Sequence, residues 1–254
     1  MNKFNVENIS YKYTIEDVIN DISLDFEPNT INVLLGLNGS GKTTLIKLLS
    51  GIFKPKKGKI FINNKDLLSY SYLERSKYIS YVAQGLNVGD DYFVEDYLSF
   101  GLMNTLKFYE SPNIENLKKV HEAAEKFGIS KFLNKKMNEL SGGEKQIASI
   151  CRAYIQDTKI MILDEPTSAL DFKNQNLVLN ILKEVASVGK TIILSTHNPN
   201  HALYLNSNAI LIDNGRIVKT GKAQEVVNKE VLSSIYGNNL VYSRELEYNE
   251  ITIS

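Results

Sequence analysis

Gly36-Leu37-Asn38-Gly39-Ser40-Gly41-Lys42-Thr43-Thr44 decides the fold of this chain. The string fits the phosphate-loop pattern G-x-x-x-x-G-K-[ST], a pattern whose weight depends on what flanks it. Before it, Ile31-Asn32-Val33-Leu34-Leu35 is a nearly continuous apolar run, as in a parallel strand buried on both faces. After it, the stretch 42–49 has the character of a helix. A strand that passes through glycines into a helix aims backbone N–H groups and a helix N-terminus at one spot, which suits phosphate oxygens. Lys42 can then reach the β- and γ-phosphates, and the Thr43 hydroxyl can ligand Mg²⁺.

A second segment supplies the reactive groups. Ile160-Met161-Ile162-Leu163 has the same continuous apolar character and ends in Asp164-Glu165, two carboxylates at the C-terminal end of a buried strand, where open α/β sheets bind ligands. Successive strand residues point to opposite sides, so one carboxylate can hold the metal while the other orients and deprotonates a water facing the terminal phosphate. Asp164 is assigned to the metal and Glu165 to the water. Thr191-Ile192-Ile193-Leu194-Ser195 is a third buried strand. The fold class that follows is α/β, a P-loop NTPase core of RecA-like type with a mainly parallel sheet.

Two additions to this core are expected. Residues 1–30 alternate polar and apolar positions, with Phe4, Val6, Ile9, Ile22, Leu24 and Phe26 on one face, and predict an antiparallel β-layer. Residues 92–155 carry helical stripes, Leu117, Val120, Ala124 and Phe127 in one and Ile147, Ile150, Cys151 and Tyr154 in the other, and predict a helical insertion. Leu177, Ile181, Val185 and Val188 predict a crossover helix ending at Gly189. The expected organisation is one domain over 1–254: a core with β-layer at 1–91 and 156–221, a helical subdomain at 92–155 and a C-terminal extension at 222–254. In the extension 224–236 reads as a helix and 245–254 as an alternating stretch.

Composition narrows the function classes. Lys+Arg and Asp+Glu are balanced at 29 each, so no net positive field draws in nucleic acid, and no nucleic-acid partner is expected. The single cysteine, Cys151, excludes a disulfide framework and fits a reducing cytoplasm. No apolar leader and no run of about 18 apolar residues is present, so membrane work is expected to need a separate partner chain.

Leu140-Ser141-Gly142-Gly143-Glu144, just ahead of the Asp164-Glu165 strand, resembles the signature sequence of the ATPase subunits of ABC transporters. With the two motifs above, the resemblance covers nearly the whole chain. It implies a homodimer that sandwiches two ATP molecules with Mg²⁺, in which Ser141, Gly142 and Gly143 contact the γ-phosphate held by the other subunit. It implies further that Tyr13 stacks on adenine, with Tyr11 as the competing platform, and that Gln84 senses Mg²⁺ and the transmembrane partner. Asp171 is implied as the cross-dimer aspartate and His197 as the switch histidine acting with Glu165 on the γ-phosphate. Glu144 departs from the Gln that many members carry; the position is expected to face away from the phosphate-binding backbone.

Leu170-Asp171-Phe172-Lys173-Asn174-Gln175 and Thr196-His197-Asn198-Pro199-Asn200-His201-Ala202 resemble, within that family, the ATPases of importers for iron–siderophore complexes, haem, cobalamin and, in some members, molybdate or tungstate, with another ABC importer or an exporter as the alternative. The resemblance implies transmembrane permease subunits, indirectly a substrate-binding protein, and a place at the inner face of the cell membrane. The region 84–96 is expected to couple closure to the permease. The H-x-x-x-H pair His197 and His201 carries Pro199 and no protease glutamate, and His201 reads as a packing residue rather than a zinc ligand. Asn64-Lys65-Asp66 misses the guanine-reading N-K-x-D by one place, so ATP is expected over GTP. A DNA-repair or ribosomal ATPase of this type would need a coiled coil or a second cassette. A metabolic phosphotransferase would leave 140–143 without a purpose.

Overall fold

The computed structural model describes residues 3–14, 16–85, 91–106 and 112–237. In chain order the main elements are β1 (Phe4–Lys12), β2 (Asp17–Phe26), β3 (Ile31–Leu35), α1 (Lys42–Leu49), β4 (Lys57–Ile62), β5 (Lys65–Asp66), α2 (Tyr72–Ser76), β6 (Ile79–Val82), α3 (Val94–Ser99), α4 (Ile114–Lys126) and α5 (Gly142–Ile155). They continue as β7 (Ile160–Leu163), α6 (Phe172–Ser187), β8 (Thr191–Thr196), α7 (Pro199–Tyr204), β9 (Asn208–Asp213), β10 (Arg216–Lys222), α8 (Ala223–Val226) and α9 (Lys229–Tyr236). No helix of the described residues is long and apolar enough to cross a membrane.

The larger sheet has the order β10-β9-β3-β8-β7-β6, parallel from β9 to β6 with β10 antiparallel at its edge. The unbroken apolar runs follow from burial on both faces. Val33, Leu35, Met161, Leu163, Ile192 and Leu194 enter one hydrophobic cluster with α3 to α6. Leu34, Ile160, Ile162 and Ile193 enter the other, with α1 and the smaller sheet. That smaller sheet, β2-β1-β4-β5, is antiparallel and covers the second cluster with Phe4, Val6, Ile9, Ile22 and Phe26. The predicted β-layer at 1–30 is thus completed by β4 and β5 from 57–66.

One boundary differs from the sequence reading. The stretch 224–236 is two short helices, because Asn228 turns out of helical geometry and its side chain accepts from the Val231 N–H to start α9. The alternating stretch 245–254 and residues 86–90 of the expected coupling region lie outside the described residues.

The hairpin between β9 and β10 holds the phosphate loop in place. Asn214 and Gly215 both have positive φ, 45° and 71°, as the two-residue Asn-Gly turn requires. Gly215 N–H donates to the Ser40 carbonyl at 3.0 Å, and its carbonyl accepts from Asn20 of β2 at 2.9 Å. A Cβ on Gly215 would stand 2.1 Å from the Val18 carbonyl oxygen. Gly215→Ala therefore combines a left-handed backbone with a backbone clash, and should cost about 3 kcal/mol. In thermal unfolding this corresponds to a Tm lowered by about 10 °C for a chain of this size. A Tm unchanged from the wild type would show that the turn relaxes without loss.

Candidate nucleotide site

The turn after β3 opens a cleft of about 510 Å³ lined by Tyr13, Val18, Asn38, Gly39, Gly41, Lys42, Thr43, Thr44, Gln84, Glu165 and His197. Close packing forces glycine at its first position, since a Cβ on Gly36 would lie 2.3 Å from the Ile212 carbonyl oxygen. Gly41, in left-handed backbone at φ 105°, caps α1 without a side-chain acceptor, and the first turn of α1 carries no acidic residue. The N–H groups there are left to an external anion, and the helix dipole adds to their pull. Leu37, a loop residue, is partly exposed, whereas Ser40 is buried.

Lys42 is buried, and its ammonium donates to the carbonyls of Gly36 at 2.8 Å and Leu37 at 3.0 Å. Burial holds its pKa below the usual lysine range, partly offset by the charges of Glu165 and Asp164. Its Nζ lies 3.9 Å from Glu165 Oε1.

The two carboxylates just beyond β7 go to different partners, and the chain leaves strand geometry at Glu165, whose φ is 46°, so its direction is set by that turn and not by the strand alternation expected from the sequence. Asp164 Oδ1 accepts from the Thr43 hydroxyl at 3.1 Å and from Ser195 Oγ at 2.6 Å. Thr43 and Asp164 thus present adjacent hard oxygen donors, a set that fits Mg²⁺ shared with phosphate oxygens and water. Glu165 is buried, adopts a left-handed backbone at φ 46°, and donates its N–H to the Ser195 hydroxyl oxygen at 2.9 Å. Its Oε2 lies 2.9 Å from His197 Nδ1, so the expected base and switch residues already touch. Sequence reasoning missed Ser195, which from within the apolar run of β8 donates to the Asp164 carboxylate and accepts from the Glu165 backbone N–H; only its polarity among Ile192, Ile193 and Leu194 signals it.

The aromatic alternatives part by packing. Tyr11 stacks on Phe53 with ring centroids 5.2 Å apart and planes at 7°, and packs on the core, so that face is taken. Tyr13 is 55% exposed at the mouth of the cleft, and its hydroxyl lies 3.2 Å from Thr44 Oγ1. Gln84 follows β6 and lines the same cleft. His201 is buried, with Nδ1 3.2 Å from Thr196 Oγ1, and burial pushes its pKa down to about 4, with His197 adding to the fall. It packs as a neutral imidazole. Cys151 is likewise fully buried on α5, where burial pushes its thiol up and leaves no nucleophile.

Ser141, Gly142, Gly143 and Asp171 form a separate patch. Ser141 caps α5, whose first residues are Gly142 and Gly143, and a Cβ on Gly143 would lie 3.1 Å from the Ala169 carbonyl oxygen, which puts the start of α5 against the loop leading to Asp171. Asp171 caps α6, accepting from the Asn174 N–H at 2.8 Å. None of these four is among the residues that line the cleft.

Glu144 does not face away as expected. Its Oε2 accepts from both the N–H and the hydroxyl of Ser141, each at 2.8 Å, while Ser141 Oγ receives the Glu144 N–H at 3.4 Å. The reason is local: Ser-x-x-Glu at a helix start closes a reciprocal capping box. The Ser141 N–H and hydroxyl hold the Glu144 carboxyl below the usual carboxylate range, ahead of smaller contributions from Lys135 and Lys131.

The family model for ABC transporters matches residues 19–168. An ABC transporter ATP-binding protein of Haemophilus influenzae is 35% identical over 230 residues, 91% of this chain and 88% of that protein. A protein of Helicobacter pylori named for iron chelatin transport is 30% identical over 237 residues, 92% and 93% of the two chains. Among solved structures, an ATP-binding cassette in a dimeric post-hydrolysis state, bound to ADP and Pi, superposes with a TM-score of 0.79 at 25% identity, covering 87% of this chain and 98% of its own. The fold, the phosphate loop on its strand and helix, and these alignments along most of the chain agree: the chain belongs to the ABC transporter family, as an ATP-binding and ATP-hydrolysing subunit.

Proposed function

We propose that this subunit powers import of a metal chelate, of the iron–siderophore, haem or cobalamin type, by closing as a homodimer on two Mg-ATP molecules beneath transmembrane permease subunits. The observation that carries the motor reading is the ordered set Lys42, Thr43–Asp164 and Glu165–His197 around one cleft, with Ser141, Gly142, Gly143 and Asp171 grouped elsewhere. A hydrolytic half-site and a separate anion-accepting half-site on one chain call for a second copy to bring them together. The dimeric cassette holding ADP and Pi supports the same arrangement. The substrate class is supported by the relative named for iron chelatin transport.

In this mechanism phosphate oxygens replace the Gly36 and Leu37 carbonyls as partners of Lys42, and the N–H groups from Gly39 to Thr44 wrap them. Thr43 and Asp164 would hold a Mg²⁺ ion, which would supply neutralisation of the phosphate charge there. Gln84 lines the same cleft, where it would meet that ion, and Tyr13 offers its exposed ring to the adenine. Glu165 takes the proton of the attacking water while His197 fixes its carboxylate at Oε2. Ser141 with the N–H groups of Gly142 and Gly143 completes the γ-phosphate shell from the opposing copy, beside Asp171. The core and β-layer of 1–91 and 156–221 carry the hydrolytic half-site, 92–155 the signature half, and the segment 84–96 passes closure to the permease. A substrate-binding protein delivers cargo, and the subunit works on the cytoplasmic face of the membrane.

The test is reconstitution with the permease in proteoliposomes, with ATP on the side of this subunit and a radiolabelled ferric chelate on the other. ATP-dependent accumulation of the chelate on the ATP side is expected. Movement in the opposite direction overturns import, and transport of other solutes alone overturns the substrate class.

A further inference from the structure

The two helix starts that the ATPase reading assigns to phosphate are built differently. α1 has no acidic residue in its first turn and no side-chain cap at Gly41, so its N–H groups are open to an incoming anion. α5 brings its own anion. Glu144 is the acidic residue of its first turn and closes the capping box with Ser141, which the same reading sets against the γ-phosphate of the opposing copy. One carboxylate oxygen, Glu144 Oε2, accepts from the Ser141 N–H and from the Ser141 hydroxyl, each at 2.8 Å. Only the N–H contact belongs to a capping box. The hydroxyl contact is an addition to it.

That addition matters because a serine hydroxyl carries a single proton. Phosphate oxygens that bear negative charge are acceptors, so Ser141 has to give that proton to meet them. With the proton directed at Glu144 Oε2, the hydroxyl has nothing to donate elsewhere. Glu144 is ionised at neutral pH, its carboxyl held below the usual range chiefly by the Ser141 N–H. An ionised acceptor holds a donor about twice as strongly as a neutral one. Its charge also opposes a second anion at the same helix start. A glutamine at this position would keep the N–H half of the box through its amide oxygen and relieve both effects.

We propose that Glu144 competes with the γ-phosphate for the Ser141 proton, so that closure of the ATP dimer turns the hydroxyl away from Glu144 Oε2 while that oxygen keeps the Ser141 N–H. No proton is transferred; one hydrogen bond is exchanged for another. Glu144 is a positioning residue, which acts through Ser141 and sets how tightly two copies hold ATP between them. The contact is made in each copy and is therefore overcome twice per dimer. This inference rests on Ser141 meeting the γ-phosphate of the opposing copy.

The experiment measures the Kd of the ATP-bound dimer by analytical ultracentrifugation, in full-length protein carrying Glu165→Gln so that ATP is retained, with thermal unfolding alongside. To this parent are added Glu144→Gln, Glu144→Ala, Ser141→Ala, and Ser141→Ala together with Glu144→Gln. Glu144→Gln should tighten the dimer about tenfold and leave the Tm at the parent's value. Glu144→Ala should lower the Tm by about 3 °C, as for a weakened cap, and still tighten the dimer. With Ser141→Ala present, the gain from Glu144→Gln should shrink to about twofold, the part due to charge alone. If Ser141→Ala weakens the dimer but Glu144→Gln leaves its Kd unmoved, Glu144 is a cap and no more, and the inference is overturned while the placement of Ser141 stands. A full tenfold gain in the Ser141→Ala background also overturns it, because the carboxylate then acts without the serine. A Ser141→Ala dimer as tight as the parent's removes Ser141 from the γ-phosphate and this inference with it.

Discussion

Glu165→Gln should cut ATP turnover about 1,000-fold and leave a stable ATP-bound dimer, because removal of a positioned general base costs on the order of 10²–10⁴ in rate. The amide matches the carboxylate in shape and can still meet His197 Nδ1, 2.9 Å from Oε2, and the backbone bond from Glu165 N–H to Ser195 is untouched. What disappears is the proton acceptor. The substitution also removes a negative charge from the edge of the cleft, which favours retention of the γ-phosphate. Steady-state phosphate release and size-exclusion chromatography with ATP read the two halves of this expectation. Turnover at the wild-type rate would eliminate Glu165 as the base. Loss of the ATP-dependent dimer along with turnover would mean that the carboxylate organises the cleft rather than the water.

Lys42→Ala should weaken ATP binding about 100-fold and bring hydrolysis below detection. Among the described residues the ammonium is the only lysine or arginine cation that lines the cleft, and it sits within reach of two carboxylates that repel phosphate when unscreened. Two close charge-assisted hydrogen bonds at about 1.5 kcal/mol each account for a loss of that size. The Tm should change little by comparison, because burial already works against the charged lysine in the folded chain and offsets part of what its two carbonyl contacts contribute. Fluorescent-nucleotide titration measures the first effect and thermal unfolding the second. Wild-type nucleotide affinity in the folded variant would show that the glycine loop and helix start bind phosphate without the lysine.

Legibility in the sequence followed burial. The strands at 31–35, 160–163 and 191–196 were readable because both faces are covered, so apolar residues run without interruption. The phosphate loop was readable because its glycines answer to steric limits that few other residues meet. β4 was not, since its first three residues, Lys57, Gly58 and Lys59, are exposed and only Ile60 and Ile62 are buried, which leaves no apolar period to detect. Ser195 was hidden inside an apolar run, and its value comes from the Asp164 carboxylate and the Glu165 backbone N–H, brought to it from about 30 residues upstream. The orientation of Glu144 was legible in principle from Ser141, three residues before it, through the capping-box pattern.

The β9–β10 turn bears on how this chain can be engineered. Exposed hairpin tips are the customary places for affinity tags, fluorophores or inserted domains. Asn214 is exposed and would be chosen on that ground, yet the adjoining Gly215 is buried and stitches Ser40 of the phosphate loop to Asn20 of the smaller sheet. An insertion there would separate two layers that meet at the nucleotide, so surface accessibility at this tip is a poor guide to tolerance.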